Sequence, residues 1–225
     1  MGVKRVLVVA AHADDEVLGC GATMARHADM GDSVHVVVMT DGVGARNPPD
    51  LSLLRAERET AANSAAKILG VKKIEFMNQP DNQLDTVPML ELVQMIEGAV
   101  ARHRPDIVYT HTPQDLNIDH RVTCEATIVA CRPQGGENVK KILFFEVLSS
   151  TEWGVEVYDS FKPNWFTDIH KQFDRKQDAL MCYSREMRSF PHPRSKEAVE
   201  SLAKLRGSAC GLIKAEAFFL HRNIS

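Results

Sequence analysis

Residues 4–16 read Lys4-Arg5-Val6-Leu7-Val8-Val9-Ala10-Ala11-His12-Ala13-Asp14-Asp15-Glu16. The run from Lys4 to Ala10 is short, rich in valine and without polar alternation, the pattern of a strand buried on both faces. One imidazole and three acids follow it directly. A helix is expected next, from about Val17 to Ala28, then a turn at Gly31-Asp32. The same alternation repeats downstream. Val34–Met39, Lys73–Met77, Asp106–Thr110 and Lys141–Val147 read as further strands. Leu51–Leu69, a segment opened by Pro88, and Asp119–Cys131 read as helices, with Gly70 as a C-cap and Pro88 in a first turn. Beyond Val147 the pattern is less regular. It shows some extended structure in 151–165 and helices near 169–183 and 195–206, joined by the loop Phe190-Pro191-His192-Pro193-Arg194-Ser195.

Five strands alternating with helices imply a Rossmann-like three-layer α/β sandwich with a mostly parallel central sheet. No internal repeat, low-complexity stretch or linker breaks the chain, so residues 1–225 read as one domain. In sheets of this kind ligands bind beyond the carboxyl ends of the strands, where the strand order reverses. With the common order 3-2-1-4-5, that crevice lies between the ends of strands 1 and 4.

Composition narrows the classes. The 225 residues carry a formal net charge of −3, with 44% hydrophobic and 25% charged residues. That balance gives no electrostatic reason to bind nucleic acid, and the apolar content argues against disorder. The early apolar run is far short of the ~20 residues of a membrane span, so no integral membrane segment is expected. Five scattered cysteines, never paired as C-x-x-C, argue against a disulfide framework and a cysteine zinc site, and favour a reducing cytoplasm. Homo-oligomerisation is left open.

The chemistry gathers at the two crevice-forming ends. After strand 1 come His12, Asp14, Asp15 and Glu16; after strand 4 comes the segment His111 to Arg121. Imidazole and carboxylate suit zinc or another divalent ion, and His12, Asp15 and His120 make a three-ligand set with room for water. Asp14, pointing differently from its neighbour, is free to act as a general base. Asp41, at the end of strand 2, is a candidate for substrate-hydroxyl binding or for orienting a ligand. Taken singly these residues have plain readings: acids at a helix N-terminus, Asp119 as an N-cap, His120 as a core histidine. Their joint placement favours a site. Gly19-Cys20-Gly21 with Asp41 imitates a dinucleotide fingerprint only loosely. Met24 stands where its third glycine would fall, and the acids of the turn would repel a pyrophosphate.

AHADDE (residues 11–16) and NIDH (residues 117–120) resemble the A-H-P-D-D-E and H-x-D-H motifs of the LmbE/PIG-L family of zinc-dependent N-acetylglucosaminyl deacetylases. The resemblance implies His12, Asp15 and His120 as metal ligands, Asp14 as general base and Asp119 as an orienting or electrostatic residue. Two positions depart from the motifs. Ala13 replaces a proline, and Asn117 replaces the first histidine of the second motif. In the family that histidine stabilises the oxyanion or protonates the leaving amine. An Asn amide donates a hydrogen bond but no proton. Asn117 is therefore a donor candidate, with His192 or His111 as replacement imidazoles. His192 sits between two prolines. Arg46, Arg55, Arg58 and Glu59 are either substrate-anion contacts or a solvated face. Pro80-Asp81-Asn82 either borders the cleft or forms an Asx turn. Trp153 and Trp165 either stack on a sugar or pack in the core.

The resulting expectation is a zinc-dependent deacetylase of an N-acetylated amino sugar, a small molecule or a glycoconjugate. Hydrolysis of another acyl amide, or non-catalytic binding of a sugar or nucleotide sugar on the same fold, are the alternatives.

Overall fold

The computed structural model describes residues 2–45, 50–134, 139–155 and 157–225. Strands β1 (Arg5–Ala10), β2 (Ser33–Thr40), β3 (Lys73–Gln79), β4 (Ile107–His111), β5 (Lys141–Phe145), β6 (Trp165–Asp168) and β7 (Ala215–Asn223) form one sheet in the order β3-β2-β1-β4-β5-β7-β6. The first five are parallel, and the strand order reverses at β1, as the sequence leads one to expect. β7 runs antiparallel to β5, with Phe144 opposite Phe219, and β6 pairs with β7. The sequence reading has no strand at β7. Its Glu216, His221 and Arg222 break the apolar pattern, and only its first half is buried.

β1 shows why its valine run has no polar alternation. Val6 and Val8 enter the layer built with α1 (Asp15–Asp29), α2 (Leu51–Leu69), α5 (Phe173–Cys182) and α6 (Lys196–Ser208). Leu7 and Val9 enter the opposite layer, with α3 (Met89–His103) and α4 (Ile118–Ala130). Both faces are dry, so both need apolar side chains. α2 starts at Asp50, whose carboxylate accepts the Leu53 N–H at 3.0 Å, and stops at Gly70, left-handed at φ 77°. Among the described residues no helix is long and apolar enough to cross a membrane.

α1 is bent where it leaves the site. Cys20 has non-helical angles (φ −145°, ψ 24°). Glu216 of β7 accepts the N–H groups of Ala22 (3.1 Å) and Thr23 (2.7 Å), while Lys176 of α5 donates to Leu18 O (2.8 Å) and to Glu216 (2.6 Å). A buried ion pair thus satisfies the backbone groups around the bend. Upstream of it, Gly19 lies so close to Phe145 that a Cβ would sit 2.3 Å from the ring. Gly19→Ala is therefore expected to lower stability by about 1–3 kcal/mol through overpacking. Thermal unfolding checks this; an unchanged Tm contradicts the close packing.

A second buried network joins α1 to β4. His27 bonds Asp32 through Nδ1 (2.7 Å) and Tyr109 OH through Nε2 (3.0 Å). Burial holds the His27 imidazole below its ordinary value, although Asp32 pulls it up. The unfolded chain therefore takes up this proton more readily, so the stabilisation present above about pH 6.5 is lost as the pH falls through that value and below. The Tm advantage of the wild type over His27→Gln is therefore expected to narrow as the pH falls from about 7 to about 5.5, as pH-dependent melting of the two proteins would show.

Candidate active site

The carboxyl ends of β1 and β4 bring three ligand atoms together. His12 Nδ1 lies 3.1 Å from Asp15 Oδ2 and 3.2 Å from His120 Nε2, and His120 Nε2 lies 3.2 Å from Asp15 Oδ2. Ligands 2.0–2.1 Å from a tetrahedral zinc stand about 3.3 Å apart, so the triangle has the size such an ion requires. Asp15 is fully buried, and its Oδ1 has no hydrogen-bond partner among the described residues. The residues present therefore fit a divalent cation.

The outer nitrogens of the two imidazoles are pinned by carboxylates. His12 Nε2 faces Asp119 Oδ2 (3.1 Å) and Asp81 Oδ1 (3.3 Å); His120 Nδ1 faces Asp115 Oδ1 (3.1 Å). Each ring so donates outward and turns its lone pair to the triangle, the arrangement that fixes metal-binding histidines. Burial alone would lower both imidazoles. Asp119, Asp15 and Asp81 nevertheless hold His12 well above its ordinary value, and Asp15 and Asp115 raise His120 to about 9. This is a pocket of negative potential that draws positive charge.

The surrounding residues hold this geometry. Asp119 also accepts the N–H groups of Asn82 (2.7 Å) and Leu84 (3.0 Å). It is not the N-cap of α4. That position belongs to Asn117, whose Oδ1 accepts the Asp119 N–H at 2.8 Å. Asn117 Nδ2 donates to Asn82 Oδ1 at 3.1 Å. Asp115 accepts from the Ser150 and Thr151 hydroxyls, the latter at 2.6 Å. Burial would raise Asp115, but His120 and these hydroxyls bring it down to about 2.

Asp14 stands beside the triangle with φ 124°, a backbone state foreign to most side chains. Glu16 holds it there by accepting the Asp14 N–H (2.9 Å), and Tyr183 OH in turn donates to Glu16 (2.6 Å). Asp14 Oδ2 accepts from Arg194 Nη1 at 2.9 Å, with Arg58 at 3.9 Å, while Oδ1 is buried without a partner among the described residues. Burial raises the Asp14 carboxyl, and Arg194 and Arg58 restrain the rise.

His12, Asp14, Asp81, Asn82, Asn117, Arg58 and Arg194 line one cavity of about 690 Å³. His192 is turned aside. It meets Trp153 edge-on, its Nδ1 accepts the Arg194 N–H, and it does not line the cavity. His111 is fully buried behind the triangle, stacked on His120 and accepting the Ala11 N–H at 2.8 Å. Asp41 spends its carboxylate on the turn at Val43 and Gly44 and on Arg55. Glu59 and the two tryptophans do not line the cavity; Trp165 lies under Lys141 at the sheet edge. Arg46 lies outside the described residues. The sequence reading missed Asp115, Tyr183 and the role of Arg194. Asp115 alone left a signal, a carboxylate five positions before His120 in the segment that follows β4.

Two imidazoles and a carboxylate around a cation-sized gap, with a free carboxylate oxygen alongside, place the molecule among α/β enzymes of hydrolytic type. Residues 7–131 match the family model described as PIG-L, GlcNAc-PI de-N-acetylase. The chain belongs to that family and is an N-deacetylase. It is 31% identical over 170 residues to an uncharacterized deacetylase, YaiS, of Escherichia coli (strain K12), covering 73% of this chain and 85% of that one. It is 30% identical over 193 residues to the diacetylchitobiose deacetylase of Thermococcus kodakarensis, covering 82% and 70%. The fold is also that of the 4-carboxy-2-hydroxymuconate hydratase of Pseudomonas putida KT2440, with a TM-score of 0.76, 24% identity and coverage of 99% and 98%.

Proposed function

We propose that the protein hydrolyses the N-acetyl group of an amino sugar, free or in a conjugate, at the triangle of His12, Asp15 and His120. The observation that carries this reading is the Asp14 Oδ1, without a partner among the described residues, beside three converging ligand atoms whose His12 corner opens on the cavity that Asp14 also lines. A divalent ion held by His12 Nδ1, Asp15 Oδ2 and His120 Nε2, zinc by the chemistry of these donors, would polarise the acetyl carbonyl and bring the pKa of water toward ~7.

The chain's own groups do the rest. Arg194 fixes Asp14 through Oδ2, which leaves Oδ1 to take the proton of the attacking water and to return it to the departing amine. Asp119 and Asp115 keep both imidazoles oriented. Asn117 spends one amide hydrogen on Asn82 and has a second for the developing oxyanion. No imidazole stands at position 117, so Asp14 serves as both base and acid. Acetate and a free amine are the products.

The test is acetate release by the metal-loaded protein across free, nucleotide-linked, lipid-linked and small-conjugate N-acetylhexosamines. Turnover of any of them supports the reading. A protein with metal bound and no acetate from the whole panel overturns it.

A further inference from the structure

The loop from Ser184 to Arg194, between α5 and α6, forms one wall of the cavity and brings three of the four guanidiniums that line it; the fourth is Arg58 of α2. Three of the four are matched by carboxylates. Arg58 pairs with Glu186 (2.5 Å), Arg185 with Glu57 (2.5 Å) and Arg194 with Asp14 (2.9 Å). Arg188 is different. Its Nη1 donates to two carbonyls of its own loop, Arg185 O and Met187 O (3.1 Å for the latter), and its Nε and Nη2 donate to no described residue. Its backbone N–H bonds Arg194 O at 3.0 Å, which ties it to the residue that fixes Asp14. The guanidinium is thus steadied at one corner, with the opposite edge unused.

That edge is the one that binds both oxygens of an anion at once. Elsewhere in this chain, Arg206 places Nε and Nη2 on the two carboxylate oxygens of Glu146, each at 2.7 Å. A neutral sugar offers Arg188 only uncharged oxygen acceptors. A carboxylate or phosphate offers a bidentate, charge-assisted pair of roughly twice the strength.

We propose that the Nε/Nη2 edge of Arg188 receives a carboxylate or phosphate group of the substrate, so that the acylated amine hydrolysed here is an anionic one. This rests on the deacetylase reading of the cavity given above, and it adds the substrate class.

The experiment compares metal-loaded wild type, Arg188→Gln and Arg188→Lys on N-acetylglucosamine, N-acetylmuramic acid and N-acetylglucosamine 6-phosphate. The quantity read is the ratio of kcat/KM on each anion to kcat/KM on the neutral sugar. In the wild type at least one ratio is expected to exceed about tenfold, mainly through KM, and in Arg188→Gln it falls to about one. The anion with the larger ratio identifies the group. Arg188→Lys keeps more of the ratio for phosphate than for carboxylate, because lysine keeps the charge and loses the planar fork. A wild-type ratio near one, or the same ratio in Arg188→Gln, overturns the proposal. If none of the three yields acetate, the deacetylase reading is judged on the wider panel above, and equilibrium binding of the same two anions decides the subsite. Affinity weakened about tenfold in Arg188→Gln supports it, and equal affinity overturns it.

Discussion

Asp14→Asn is expected to keep its bound metal and to lose turnover by a factor of ~10²–10⁴, the usual weight of a positioned general base. The carboxylate lies outside the triangle of ligand atoms, so metal content does not depend on it. An amide of the same shape still accepts from Arg194, but it cannot take a proton at the position of the free Oδ1. Asparagine is the right replacement for a second reason. Asp14 sits at φ 124°, and asparagine tolerates positive φ better than alanine does, so backbone strain does not confuse the result. Metal analysis with acetate-release kinetics checks both halves. Unchanged turnover on a verified substrate would remove Asp14 as the base. Lost metal would move it into the ligand set.

The second large effect concerns the metal itself. His12→Ala and His120→Ala each remove one corner of the triangle, and each is expected to weaken metal affinity by well over ~100-fold. Asp119→Asn and Asp115→Asn, which loosen a ring without removing it, are expected to weaken it by about 10–100-fold. The physical difference lies in what remains. Without His120, the donor nitrogen is gone and the buried Asp15 and Asp115 face each other's charge across the gap. Without the Asp115 charge, His120 keeps its place but loses the partner that aims Nε2 at Asp15. Chelator competition orders the variants. The rise in Tm on adding zinc gives an independent reading, since a ligand that binds only the folded state stabilises it by mass action. Full metal occupancy in both histidine variants would show that the ion sits elsewhere.

The same residues show which parts of the site could be read along the chain. His12, Asp14 and Asp15 fall within four consecutive positions after a strand, and Asp119 and His120 are adjacent after another. Such local clusters announce themselves once the strand order is assumed. Arg194 is different. It reaches Asp14 from 180 positions away, through a loop in which His192 looked the more chemical residue. The backbone of that loop turns His192 to Trp153 and sends Arg194 into the cavity. Glu216 is equally silent in sequence. It reads as a charge that spoils a strand, and only the bend of α1 gives it two buried N–H groups to accept. Asn117 shows a third kind of limit. The motif comparison marked it as a lost imidazole, whereas the folded chain makes it the N-cap of α4 and a bridge to Asn82.

By itself, then, the sequence determined the parallel core, the reversal of strand order at β1, and the two strand ends where acids and histidines gather. These follow from apolar periodicity and from spacings of a few residues, which are local quantities. Only the tertiary structure decided which nitrogen of each histidine turns toward Asp15, which carboxylate oxygen is left free, and which arginine edge stays open. Those depend on side chains from distant segments competing for the same few hydrogen bonds in a buried space, and no local pattern records the outcome of that competition.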